Sequence, residues 1–262
     1  MKSIKAPFYI ALVLVFICMH SHAQQQDGKW ITIFNGKDLT GWSPKFTGEA
    51  YGVNYRNTFQ VNEGKLIASY GNYTHFDNNF GHLFYKEKLS AYRLKLQYRF
   101  VGDAVPGAPS WAFKNSGIKY HAPHPSELPV DQQLLVAVEA QILGGDGKTD
   151  RFTGNVCTAG THVEMDDRLI TQHCTNSNYP AIDDSSWVHM EIEVHGSNQI
   201  IHKINGQVVM AYSKPQYDDT DEFARALMEK GHPRIISEGY IALQAEGHPV
   251  EFKDIQLLKL SE

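Results

Sequence analysis

Two stretches of the sequence place groups capable of proton transfer at alternating positions. In Val136-Ala137-Val138-Glu139-Ala140-Gln141-Ile142-Leu143, a strand turns Val136, Val138, Ala140 and Ile142 to one face and Glu139 and Gln141 to the other. The Gly144-Gly145-Asp146-Gly147 turn closes it. Read alone, the pattern also describes an ordinary half-exposed strand with a solvated Glu and Gln. Asn115-Ser116-Gly117-Ile118-Lys119-Tyr120-His121 offers a second such strand, with Lys119 and His121 on the face opposite Ile118 and Tyr120. A carboxylate near a neutral imidazole or an ammonium can move a proton around pH 7. Asn115 and Gln141 could hold hydroxyl groups beside them. The expectation is that Glu139, Gln141, Lys119, His121 and Asn115 line one concave sheet face with Val138, Ala140, Ile118 and Tyr120 turned into the core, a sharp test because a slip of one residue would invert every assignment.

Other groups carry weaker signals. Arg93 and Arg99 project from the polar face of an alternating segment, Arg99 nearer the loop of residues 102–111, and both also read as plain surface charge. His162, Glu164 and Asp166 alternate without matching a tight metal motif, so an extended acidic loop is the favoured reading and His162 and Glu164 stay weak metal candidates. Glu246 and His248 lie at a turn between two strands. Trp111 sits in a proline-flanked loop, where its ring could stack on the C–H face of a pyranose or be buried. Trp42 and Trp187 are assigned to the core.

These groups need a β framework, and the rest of the chain supplies one. Residues 92–100 alternate without a fault, the pattern of a half-buried antiparallel strand. Hairpins are expected at Asn62-Glu63-Gly64 and at Asn205-Gly206, the latter joining residues 199–204 to 208–212. Residues 30–34, 83–85, 187–194, 239–245 and 250–260 read as further strands. Residues 221–229 form the one expected helix, with Asp219 or Thr220 as N-cap, Gly231 at the stop and Pro233 beyond. Residues 148–186 read as a wide loop-rich region, of the kind that borders binding sites. Many strands, Gly-rich turns and one short helix predict an antiparallel sandwich.

Length and charge bound the function. A β sandwich of 262 residues commonly counts as one domain, and no compositional break divides this one. Met1-Lys2-Ser3-Ile4-Lys5, an apolar run over residues 6–19 and Ser21-His22-Ala23 have the order of a signal peptide. Cleavage after Ala23 leaves residues 24–262 as a single exported domain, periplasmic or extracellular, with no later segment apolar enough to span a membrane. A lipid anchor at Cys18 is disfavoured, because Val15-Phe16-Ile17 lacks the small residues that such processing requires. Loss of Lys2 and Lys5 leaves 22 basic against 29 acidic side chains, a formal charge of −7, which disfavours nucleic acid as a partner. Cys157 and Cys174 remain as an even pair in an oxidising compartment and are expected to form a disulfide.

Five motifs in order resemble one family: Phe34-Asn35-Gly36-Lys37-Asp38-Leu39-Thr40-Gly41-Trp42, Asn115-Ser116-Gly117-Ile118, Val138-Glu139-Ala140-Gln141-Ile142-Leu143, the residue 187 strand with its Asn205-Gly206 turn, and residues 239–244 running to Val250-Glu251-Phe252-Lys253-Asp254-Ile255. Together they resemble the 3-keto-disaccharide hydrolase domain over roughly residues 29–260. The resemblance implies an all-β, concanavalin A-like jelly-roll sandwich of two antiparallel sheets with one short helix. It further implies an exported enzyme that cleaves 3-keto-glycosides, with a lectin-like sugar-binding module as the alternative on the same fold. Glucanases of this fold carry two carboxylates two positions apart on one strand, and position 141 here is Gln, which disfavours ordinary double displacement. A 3-keto substrate would instead permit proton abstraction at C2, elimination and hydration. Glu139 or His121 would then act as base, with Lys119 or a divalent cation holding the enolate charge. No cofactor is specified.

Overall fold

The computed structural model describes residues 28–261; the expected signal segment and Cys18 lie outside the described residues. Strands in the first half are β1 (Ile31–Thr32), β2 (Trp42–Phe46), β3 (Phe59–Asn62), β4 (Lys65–Ala68), β5 (Gly81–Leu89), β6 (Ala91–Phe100), β7 (Asn115–Ala122) and β8 (Ala137–Leu143). The middle of the chain adds β9 (Asn155–Ala159), β10 (Thr161–Met165), β11 (Arg168–Ile170) and β12 (Cys174–Thr175). The last third holds β13 (Val188–His195), β14 (Gln199–Ile204), β15 (Gln207–Tyr217), the helix α1 (Glu222–Glu229), β16 (Gly239–Ala245) and β17 (Val250–Lys259).

Two antiparallel sheets result. One has ten strands, β11-β10-β15-β14-β13-β6-β17-β4-β3 in order, with β1 also pairing β17. The other has seven, β12-β9-β8-β7-β16-β5-β2. The alternation in β6 is realised residue by residue: Tyr92, Leu94, Leu96, Tyr98 and Phe100 are buried while Arg93, Lys95, Gln97 and Arg99 stay partly exposed. Those inward residues share one core with Ile118, Val138, Ala140, Ile142 and Leu243 of the seven-stranded sheet. Burial of each large apolar side chain stabilises by roughly 1.5–3 kcal/mol, which fixes the register of β7 and β8 and turns Asn115, Gly117 and Lys119 with Ala137, Glu139 and Gln141 to the outer face. The all-β jelly-roll sandwich with one short helix is therefore present as expected.

Several expectations are corrected. Residues 148–186 are loop-rich as expected but also carry four short strands, β9 to β12, and His162 and Glu164 belong to β10 rather than to an acidic loop. β9 escaped notice because Asn155-Val156-Cys157-Thr158-Ala159 does not alternate apolar with polar residue types, although all five are buried. The N-cap of α1 is Asp221, whose side chain accepts from the Ala224 N–H, not Asp219 or Thr220. Trp187 is only partly buried, on the outer side of the ten-stranded sheet, between the Arg99 guanidinium (4.6 Å from its ring centre) and the Lys253 ammonium (4.2 Å). Trp42 is in the core. Cys157 and Cys174 are bonded and join directly paired positions of β9 and β12.

Candidate active site on the outer face of the seven-stranded sheet

Register brings the polar residues together. Ala242, Lys119, Glu139, Cys157 and Cys174 stand in one row across β16, β7, β8, β9 and β12. One step along the strands, Gly117 faces Gln141, which in turn faces Asn155. Above them lies a cavity of about 590 Å³, lined by Trp111, Asn115, Lys119, Glu139, Gln141, Gln244 and Glu246 among others. Trp111, Asn115, Lys119, Glu139, Gln141 and Glu246 are thus six of the residues singled out in the sequence, and they meet in one place.

Glu139 is not a solvated surface carboxylate. It is 5 % exposed, and its Oε2 is 2.6 Å from the Nζ of Lys119, itself 2 % exposed. Two charges so withdrawn from water are costly unless each neutralises the other, and this pair meets that condition. Gly117 makes room for it: a methyl group at that position would overlap the Glu139 carboxylate. Gln141 accepts a hydrogen bond from Asn155 Nδ2 (2.9 Å), which orients its amide.

Glu246 is the second carboxyl of the site. Burial, reinforced by the charge of Glu139 and opposed by Lys119 and a hydrogen bond from Gln244, pushes its pKa up to about 8. At neutral pH it is therefore an acid holding its proton. Its Oε1 accepts from Gln244 Nε2 at 2.6 Å, while Oε2 has no partner. Asn115 Oδ1 and Gln244 Oε1 are likewise buried and unpartnered. Three acceptor-bearing groups on a cavity floor suit the hydroxyl groups of a sugar. Two amides and a neutral carboxyl group offer little charge to a divalent ion, and no cluster of three His, Cys, Asp or Glu side chains placed to hold a metal occurs among the described residues. Trp111 forms the rim, half exposed, with its ring stacked on Phe80 at 5.8 Å and 6°.

His121 does not join the site. Lys119 pairs with Ala242 and Ala122 with Tyr240, so Tyr120 and His121 together oppose the single residue Ile241, a β-bulge, and His121 has φ of 55°. The bulge resets the alternation, and the ring turns away to donate from Nε2 to the Gly196 carbonyl at 3.0 Å. Burial pushes its pKa down to about 4. His248 is also outside: its ring packs edge-on to Phe100 and Phe113, with both nitrogens unpartnered. Arg99 lies on the other sheet, where its Nε donates to Glu251 Oε2 at 2.7 Å. The metal candidates are engaged separately, His162 with Asp218 (3.5 Å) and Glu164 with Lys214 (2.6 Å).

Sequence reasoning missed Gln244, Arg151 and His173 as lining residues. The first was legible, since Gln244 and Glu246 are two apart in a strand pattern. Arg151 and His173 arrive from turns, where no periodicity announces them: Arg151 is held by a 2.6 Å bond from Nη1 to the Gly144 carbonyl, and His173 Nδ1 lies 2.7 Å from the Thr158 carbonyl.

A jelly-roll sandwich with a buried acid, carboxylate and lysine in a cavity on one sheet face is the class of protein that fold and site define. The chain belongs to the 3-keto-alpha-glucoside-1,2-lyase-like domain family, whose model matches residues 29–258, in agreement with the resemblance drawn from its motifs. Among solved structures it is similar to a candidate glycosyl hydrolase from Parabacteroides distasonis, at 17% identity and a TM-score of 0.53 over 89% of this chain and 94% of that one. A protein of unknown function with a galectin-like fold from Bacillus subtilis aligns with a TM-score of 0.54 at 11% identity, over 91% of this chain and 100% of that one. At such identities the likeness is one of fold. A search of curated proteins returned no match.

Proposed function

We propose that the protein cleaves 3-keto-glycosides by elimination across C1 and C2 followed by hydration, with Glu139 as base, Lys119 as enolate-stabilising cation and Glu246 as acid. The observation that carries this reading is the presence in one cavity of a lysine-paired carboxylate and a second, buried carboxyl group with an unpartnered oxygen. A ketone at C3 acidifies the hydrogen on C2. Glu139 takes that proton, and the bonding electrons pass to the C3 oxygen, where the Lys119 ammonium meets the developing charge. Collapse of the enolate forms the C1–C2 double bond and expels the C1 oxygen, which takes the proton of Glu246. Addition of water across the double bond completes a net hydrolysis. No step requires a carboxylate nucleophile, which accords with Gln at position 141. Asn115, Gln141 and Gln244 position hydroxyl groups, and Trp111 covers the sugar's C–H face. Export belongs to the same proposal, since the Cys157–Cys174 disulfide suits an oxidising compartment.

The test follows deuterium placed at C2 of a 3-keto-disaccharide. Wild-type protein should replace it with solvent hydrogen as reducing sugar is released, and Glu139→Gln should lower the rate on the order of 10²–10⁴-fold while still binding the unoxidised disaccharide. Full retention of deuterium together with an active Glu139→Gln protein would replace this reading with that of a lectin-like binding module.

A further inference from the structure

A second cavity adjoins the one over Glu139. Along β8 the outward residues run Gln141, Glu139, Ala137, and Ala137 pairs with Ala159 of β9. At Ala159 a second cavity of about 460 Å³ opens, and Leu134, Ala159 and His173 line both spaces. The two cavities are therefore neighbours that share one wall, with Glu139 and Lys119 in the first of them. Trp111, Gln141 and Glu246 occupy the side toward Leu143, and the second cavity lies on the opposite side.

The walls of that second space come from elements unrelated to the chemistry. Asp131 and Gln133 precede β8, and Asp221 and Phe223 open α1. One oxygen of Asp221 is engaged by the Ala224 N–H as the helix cap. Leu134, 45% exposed, forms an apolar ridge between the two cavities. Carboxylates that accept, an amide that both donates and accepts, and small apolar surfaces between them are what a neutral polyhydroxyl ligand requires. The same carboxylates repel phosphorylated or carboxylated ligands. Each cavity by itself has the volume of a small-molecule site, so the two side by side exceed what a disaccharide fills.

We propose that the Asp131–Gln133–Phe223 cavity is a further sugar subsite, on the side of Glu139 away from Glu246, so that the protein binds glycosides of three or more units better than disaccharides. This rests on the reading of the Glu139 cavity as a carbohydrate site.

The experiment measures, by calorimetry, the affinity of unoxidised α-linked gluco-oligosaccharides of two to five units for the wild-type protein and for the double variant Asp131→Asn/Gln133→Ala, whose altered side chains are exposed. Affinity should rise roughly tenfold between two and four units, the worth of one or two added hydrogen bonds. The double variant should lose that rise and keep the disaccharide affinity and the melting temperature of the wild type. Equal affinity at every length, or a variant that weakens all lengths alike, overturns the subsite. Absence of binding at any length overturns the carbohydrate reading of both cavities, whereas a length-dependent affinity in a protein that fails the C2 deuterium test leaves the subsite standing and removes only the catalytic mechanism.

Discussion

Glu246 shows how far a residue's role depends on its surroundings. In sequence it is one of two polar residues at a turn, with a surface carboxylate as its ordinary expectation. In the structure burial and the neighbouring Glu139 keep it protonated to about pH 8. Two consequences follow with opposite demands. As the proposed acid it must hold its proton, so kcat/KM on a 3-keto-glycoside should fall as pH rises through about 8, and Glu246→Gln should be slow at every pH and lack that alkaline limb. A rate profile of Glu246→Gln that keeps the wild-type limb would remove Glu246 from the mechanism. Its folded pKa is raised above the unfolded value, so its linkage contribution is fully present below the unfolded value of 4.5 and is lost as pH rises toward 8. His121 illustrates the reverse case: its spacing from Lys119 pointed to the site, and a single bulge sent it to the Gly196 carbonyl instead.

At the scale of elements, β7 and β8 do most to build the site. Their registered pairing sets Lys119 directly against Glu139, and Gly117 leaves open the space that the carboxylate occupies. Gly117→Ala should therefore disturb function more than folding. The added methyl meets the flexible Glu139 side chain rather than backbone, and Gly in a strand interior carries an entropic cost that Ala relieves by roughly 0.5–1 kcal/mol. The expected result is a melting temperature close to wild type with activity reduced about 100-fold, the scale of loss from a misplacement of about 1 Å. Urea unfolding and steady-state kinetics on the same preparation check both halves; full activity in Gly117→Ala would mean that the observed position of Glu139 is not the working one.

For the whole molecule, buried neutral histidines set an acid limit. Burial pushes the pKa of His121, His202 and His248 down to about 4, and burial together with the charges of Lys119 and Lys45 holds His82 well below its usual value. Each binds a proton in the unfolded chain before it does so in the fold. Stability from these groups is complete above about pH 6.5 and is lost as pH falls toward 4. For the fully enclosed His121 and His202 the loss should reach on the order of 1–2 kcal/mol each by pH 5. Urea midpoints measured from pH 7 down to pH 4.5 should fall steadily, and His202→Gln, which removes one of these groups, should flatten the slope. A midpoint independent of pH over that range would contradict the burial of these rings.

Periodicity in the sequence determined the two-sheet architecture, most strand positions, the helix and the parity of Asn115, Lys119, Glu139 and Gln141, because a half-buried strand writes its two faces into alternate residues. The cysteine count pointed separately to the Cys157–Cys174 pair. Where residue types do not alternate, as in β9, that record is blank. Only the tertiary structure could set Lys119 against Glu139, since their strands are joined by an irregular connection whose length fixes no register. Only packing could reset the alternation at Tyr120 and His121, and only enclosure could turn Glu246 from a surface carboxylate into a neutral acid. Alternation reports which side of a strand a residue faces, whereas pairing partners, bulges and local dielectric arise from chain segments distant in sequence.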